Sequence, residues 1–198
     1  MRERDSRRTF QAVALCLAYP DEALLATLPL VHEAVEPLRP FVDRLTSTPP
    51  TRLQADYVAT FDLQRRCCLY LTYYSHGDTR KRGMALLRFT HAYRSAGMRI
   101  TSDELPDHLA VVCEFAARHP DAGLALLHEH RAAVELLGLA LADAGSPYRD
   151  VIDVLRGALP EPAPRDLQRA LELARSGPPA EEVGLEPFAP PETLGARR

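Results

Sequence analysis

Apolar positions recur along this chain at spacings of three and four residues, the period of one helical face. Phe10, Val13, Ala14 and Leu17 predict a first helix over about 8–18. Tyr19-Pro20 ends it, because proline disfavours helical backbone in the residue before it. Asp21 is placed to cap a second helix carrying Leu24, Leu25, Leu28, Val31 and Val35, with Pro29 predicted as a kink or interruption. Pro37, Pro40, Pro49 and Pro50 frame a broken stretch around Phe41, Val42 and Leu45, where one short helix and a surface loop are expected.

The helical pattern returns over 52–74, with Leu53, Tyr57 and Phe61 four apart and Cys68 and Leu71 three apart. Residues 75–79 read as a tight turn into a helix beginning near Arg80, with Leu86, Phe89 and Tyr93 on one face and Gly97 as its C′ residue. Ser102 or Asp103 is a candidate cap for the next helix, whose first turn would hold Pro106 and whose stripe is Leu105, Leu109, Val112 and Ala116. His119-Pro120 breaks that helix, and Asp121 predicts a long one through Leu124, Leu127, Val134, Leu137 and Leu141. Ser146-Pro147 opens another helix to about Leu159, and a last one covers 164–176 before Gly177-Pro178-Pro179.

Alternating β-branched runs are missing, and thirty Leu stand against eleven Val and two Ile. The expected fold is all-α: a single-domain bundle of about seven to nine helices over 1–176. A Pro-rich tail over 177–198 follows, expected to be disordered or loosely docked by Val183, Leu185 and Phe188.

A chain of 198 residues buries roughly 70% of its unfolded surface on folding, so it needs no metal or disulfide to fold. The net charge of −3 argues against a general nucleic-acid or membrane-surface binder. No apolar run approaches the ~20 residues of a membrane helix. The opening residues MRERDSRRTF lack the apolar centre of a secretory signal, so a cytoplasmic location is expected. Cys16, Cys67, Cys68 and Cys113 include no CxxC pair. They are expected to be buried or half-buried thiols, with no metal site and no cofactor.

Charge is distributed unevenly. Between Arg65 and Arg99 there are eight basic residues and one acid, Asp78. Arg80, Lys81 and Arg82 fall in a predicted first helical turn, where the macrodipole is already positive. They call either for an acidic group on a partner or for internal pairing with Asp78, Glu104 or Asp107. The run Glu104-Leu105-Pro106-Asp107-His108 places two carboxylates and an imidazole in another predicted first turn. The dipole would stabilise the carboxylates there. Asp107 with His108, or His76 with Asp78, could alternatively serve a small helical acid/base enzyme, although no Ser or Cys sits in an elbow-like turn to act as nucleophile. His128 and His130 face apart on a helix, and no nucleotide loop or HExxH is present. Phe61, Tyr70, Tyr73, Tyr74, Phe89 and Tyr93 read as core, or in part as the lining of a groove for a partner helix.

Two motifs carry a resemblance. Tyr57-Val-Ala-Thr-Phe61-Asp62, then Arg66-Cys67-Cys68-Leu-Tyr-Leu-Thr72, then His76-Gly77-Asp78-Thr79-Arg80-Lys81-Arg82-Gly83 resembles the central region of the nitrate reductase delta subunit (NarJ) family. Glu104-Leu-Pro-Asp107-His108-Leu109 resembles the second motif, shared more loosely by the TorD/DmsD group of redox-enzyme maturation chaperones. The match covers about 57–117. It implies an all-helical cytoplasmic chaperone without catalytic residues. Its implied partner is the N-terminal segment of the apo catalytic (alpha) subunit of respiratory nitrate reductase, held ready for molybdenum cofactor insertion before membrane attachment. The resemblance leaves room for molybdenum cofactor biosynthesis proteins as further partners. A partner-binding set then follows: Tyr57, Phe61, His76, Asp78, Arg80, Arg82, Glu104, Asp107 and His108. Phe61 and neighbouring aromatics would hold the apolar face of an amphipathic client helix, and Glu104 and Asp107 would meet its basic residues.

Overall fold

The computed structural model describes residues 3–101 and 104–179. The expected cap at Ser102 or Asp103 and the tail contacts of Val183, Leu185 and Phe188 lie outside the described residues. Eleven α-helices form among those described: α1 (Glu3–Cys16), α2 (Glu22–Ala34), α3 (Arg39–Ser47), α4 (Pro50–Tyr57), α5 (Tyr73–His76), α6 (Arg80–Ser95), α7 (Leu109–Arg118), α8 (Pro120–Glu129), α9 (Arg131–Asp143), α10 (Tyr148–Ala158) and α11 (Pro164–Ser176). The fold is all-α, and no strand occurs among the described residues.

The count exceeds seven to nine because two predicted helices are broken. The pattern over 52–74 is α-helical to Tyr57 and again only from Tyr73. A π-turn at Val58–Asp62 and a 3₁₀ turn at Arg65–Cys67 follow, and Cys68 is extended. The long helix expected from Asp121 to Leu141 splits at His130, which lies outside helical geometry between α8 and α9. Local signals placed other ends well. The Asp21 side chain accepts a hydrogen bond from Leu24 N at 2.8 Å. Gly97 follows α6 with φ +75°, and α11 covers the residues expected. Pro29 is accommodated inside a continuous α2.

Helix α1 is central, packing on α7 and α10, while α9 packs between α10 and α11. Phe10, Val13 and Leu17 are fully buried, as are Leu109, Val112, Cys113 and Ala116 of α7. Where α7 and α8 cross, Gly123 is obligatory: a Cβ there would lie 2.2 Å from Ala116 Cα. The turn before α6 is equally specific. Gly77 has φ +54°, and a Cβ there would run into the carbonyl of Pro179 at 1.8 Å. The chain leaving α11 therefore lies directly on the turn that starts α6.

A charged pair sits inside the bundle. Arg131 donates from Nε to Glu135 Oε1 at 2.6 Å and from Nη1 to the Pro160 carbonyl at 2.6 Å. Both side chains are 4% exposed, and Arg156 closes on the other Glu135 oxygen. This clamp ties α9 to α10 and to the segment leading into α11.

Cys16, Cys67 and Cys113 are buried and Cys68 half-buried, as the sequence predicts. Burial pushes the Cys16 thiol up to about 12 and raises the others. Among the described residues no helix is long and apolar enough to cross a membrane.

Candidate functional site

The two sequence motifs meet in space. Leu71 N donates to the Asp107 carbonyl at 3.1 Å and Leu109 N donates to the Leu69 carbonyl at 2.8 Å. Tyr70 and His108 form an antiparallel bridge between them. This pairing explains why α7 begins only at Leu109. The backbone of 107–109 bonds across to 69–71, so Glu104 and Asp107 precede the helix rather than occupying its first turn. The expected dipole stabilisation of these carboxylates is thereby replaced by direct partners.

Asp107 is fully buried. Its Oδ2 accepts from Thr72 N at 3.0 Å and Thr72 Oγ1 at 2.5 Å, and lies 3.7 Å from Arg82 Nη2. Arg82 reaches inward from the first turn of α6. Its Nε donates to Thr72 Oγ1 at 3.2 Å and its Nη1 donates to Asp78 Oδ1 at 3.3 Å. The guanidinium lies 5.3 Å from the Tyr70 ring centroid and 5.9 Å from that of Tyr73, within cation–π range. Of the two readings of the basic turn, Arg82 follows internal pairing. Arg80 is exposed at the start of α6.

Tyr70 also lines a cavity of about 320 Å³, together with Tyr19, Tyr57, Phe61, Glu104 and His108 among others. Tyr70 Oη donates to Glu104 Oε1 at 2.7 Å, which fixes that carboxylate at the rim. Tyr57 anchors the opposite wall by donating from Oη to the Leu17 carbonyl at 3.0 Å. Beneath them Tyr148 of α10 meets Phe61 edge-on, with ring centroids 4.7 Å apart, and Tyr57 at 5.9 Å. Edge-to-face aromatic pairs of this kind each add about 0.5–1.5 kcal/mol beyond burial.

The nine sequence-predicted residues divide accordingly. Tyr57, Phe61, Glu104 and His108 line the cavity, while Asp78, Arg82 and Asp107 form the polar support behind Tyr70. His76 and Arg80 do not line this cavity. The His76 carbonyl instead accepts from Thr79 Oγ1 at 2.7 Å in the turn. Tyr19 and Thr72 escape the sequence reading of the site, and Tyr70 enters it only among the aromatics that could line a groove. Tyr70 and Thr72 lie inside the first motif, but Thr72 becomes informative only through an acid 35 positions away. Tyr19 carries no local signal beyond its place before Pro20.

The geometry offers binding more readily than chemistry. The Asp107 carboxylate faces Thr72 and Arg82, and no hydrogen bond joins it to the His108 imidazole among the described residues. Asp107 Oδ1, Arg82 Nη2 and His108 Nδ1 are buried without a hydrogen-bond partner among the described residues. Such orphaned groups destabilise a fold. No group of residues with metal-ligating potential occurs among those described.

Burial holds the His108 imidazole below its ordinary value of 6.5, with Glu104 and Asp107 only partly opposing it. His130 is lowered in the same way by burial. The unfolded chain therefore takes up protons near pH 6.5 that the fold accepts only at lower pH. Stability should be full above about pH 6.5 and fall as pH drops toward the lowered values. The slope approaches about 1.4 kcal/mol per pH unit for each proton bound only by the unfolded state. Urea melts in pH steps should show this decline, and His108→Gln should flatten it partly, leaving the His130 share. An unchanged slope in that variant would mean that His108 is not held neutral.

Residues 27–152 match the family described as nitrate reductase delta subunit. The nitrate reductase-like protein NarX of Mycobacterium tuberculosis is 39% identical over 149 residues, covering 72% of this chain, and this chain spans only 23% of NarX. NarJ of Bacillus subtilis is 34% identical over 169 residues, covering 80% of this chain and 92% of its own length. The nitrate reductase molybdenum cofactor assembly chaperone NarJ of Escherichia coli K12 is 32% identical over 155 residues, covering 72% of this chain and 66% of its own length. Among solved structures, an Archaeoglobus fulgidus protein described provisionally as a redox enzyme maturation protein superposes with a TM-score of 0.63. It is 24% identical, covers 76% of this chain and 91% of its own, and supports the fold. On the family match and on relatives above 30% identity that span most of its length, the chain belongs to the nitrate reductase delta subunit family.

Proposed function

We propose that this protein is an assembly chaperone for respiratory nitrate reductase. It binds the N-terminal segment of the apo catalytic subunit and keeps that subunit competent for molybdenum cofactor insertion before membrane attachment. The observation that carries this reading is the aromatic cavity with a carboxylate fixed at its rim. Tyr19, Tyr57, Phe61 and Tyr70 offer an apolar wall to one face of an amphipathic helix, and Glu104 offers a charge to a basic residue beside it. The names of the Bacillus and Escherichia relatives point the same way. Asp107 and Arg82 hold the wall from behind in this reading, and Tyr57, Phe61, Glu104 and His108 touch the client. His76, Asp78 and Arg80 border the turn of α6 and would meet the client outside the cavity. The protein acts in the cytoplasm and has no catalytic role.

The test is calorimetry with a synthetic peptide copying the N-terminus of the catalytic subunit from the same host. The expected result is 1:1 binding with a negative heat-capacity change, the mark of apolar burial. An absence of heat, together with no competition against the full subunit, would overturn the reading.

A further inference from the structure

Ala110 and Val111 of α7 line the aromatic cavity. A second hollow of about 240 Å³ lies on the same helix, lined by Tyr93, Met98, Ile100, Phe115 and the charged residues Arg99, Glu114 and Arg118. The two hollows share Val111. Placed end to end, they describe a trough along α7, from Ala110 of the first to Arg118 of the second. That span is roughly 12 Å at 1.5 Å per residue, a little over two helical turns.

The ends of this trough differ in charge. At the first, Asp62 and Glu104 present two carboxylates. At the second, Arg118 donates to Glu114 at 2.6 Å, which leaves Arg99 as the excess charge. A helix lying in the trough carries about half a positive charge at its N-terminus and half a negative charge at its C-terminus. The N-terminus of α7 opposes this preference at the first end, but only with a half charge of its own against two full ones. The C-terminus of α7 is likewise outweighed at the second.

Building on the chaperone reading above, we infer that the client helix binds in one direction. Its first turn lies at Tyr19, Phe61, Asp62 and Glu104, and its last turn lies at Met98, Arg99 and Arg118, parallel to α7. Directionality of this kind selects clients whose opening turn is basic or carries a free amino group and whose following turns are apolar on one face. It discriminates against the same residues in reverse order.

The experiment uses the full chain, isotope-labelled, with a catalytic-subunit N-terminal peptide of about sixteen residues, long enough to cover both hollows. A nitroxide is attached to the first turn in one peptide and to the last turn in another. The first label should broaden the amide signals of Phe61, Asp62 and Glu104, and the second those of Arg99, Thr101 and Arg118. In parallel, Arg99→Glu with Arg118→Glu should weaken the wild-type peptide about tenfold. Reversed broadening, equal broadening at both ends, or full affinity in the charge-reversed variant would overturn the inference while leaving the chaperone reading in place. No binding by any peptide would remove both.

Discussion

Glu135→Ala is expected to cost about 3–5 kcal/mol of folding stability, because it strands the Arg131 guanidinium inside the bundle. Arg131 and Glu135 are each 4% exposed. The hydrogen bond from Arg131 to the Pro160 carbonyl would remain, but it supplies no compensating charge. For a domain of this size the loss corresponds to a fall in Tm of roughly 6–20 °C. A double change, Arg131→Met with Glu135→Leu, should recover most of it, since apolar replacement of a whole buried pair is often neutral or stabilising. Arg156, 35% exposed, keeps access to water and to Asp153 in that variant. Chemical denaturation of the two proteins measures both quantities. A loss below about 1 kcal/mol in the single variant would show that water reaches Arg131, against the burial seen here.

The second large effect is expected at Asp107, and it should appear in both stability and binding. Asp107→Ala removes the acceptor for Thr72 N and Thr72 Oγ1 and the counter-charge of Arg82. Breaking a buried pair from one side costs about 3–5 kcal/mol. Asp107→Asn retains an acceptor for Thr72 while losing the charge, so its cost should be smaller, about 1–3 kcal/mol. Both exceed the few tenths to ~1 kcal/mol expected of a carboxylate that serves only a helix dipole. The guanidinium that Asp107 holds lies over the ring of Tyr70, and Tyr70 also lines the cavity. Peptide affinity should therefore fall in the folded Asp107→Asn protein by more than unfolding accounts for. Melting and calorimetry on the same sample separate the two, with the exposed Arg165→Ala as control. Full affinity with only a lowered Tm would confine Asp107 to the architecture.

Punctuation was legible in the sequence where the physics is local. Pro164 and Gly177 bracket α11, Asp21 caps α2 through its own side chain, and Gly97 closes α6. What could not be read locally depends on distant partners. The segment 69–72 keeps an apolar rhythm compatible with a helix, yet Leu69 and Leu71 spend their backbone bonds on residues 107–109. Tertiary pairing overrode periodicity there. The same pairing moved Asp107 from a helix start into a buried network, so a residue correctly singled out carries a different role from the one its neighbours suggest. Around His130 the apolar stripe skips from Leu127 to Val134 over four polar residues, a gap that an unbroken helix could also carry. The turn there lets Arg131 point inward toward Glu135 and Pro160, a requirement set by residues up to 29 positions further on.

The ring of Tyr148 beneath Phe61 and Tyr57 bears on the order of events during synthesis. Every residue lining the aromatic cavity has been made once the ribosome has passed Val111. Tyr148, which packs on two of those residues, arrives with α10, 37 residues later, which is roughly 2–7 s at 5–20 residues per second. A nascent chain in that interval has every residue of the cavity lining but lacks the ring that Phe61 and Tyr57 meet edge-on. The aromatic packing behind the cavity is thus completed only late in synthesis, with α10.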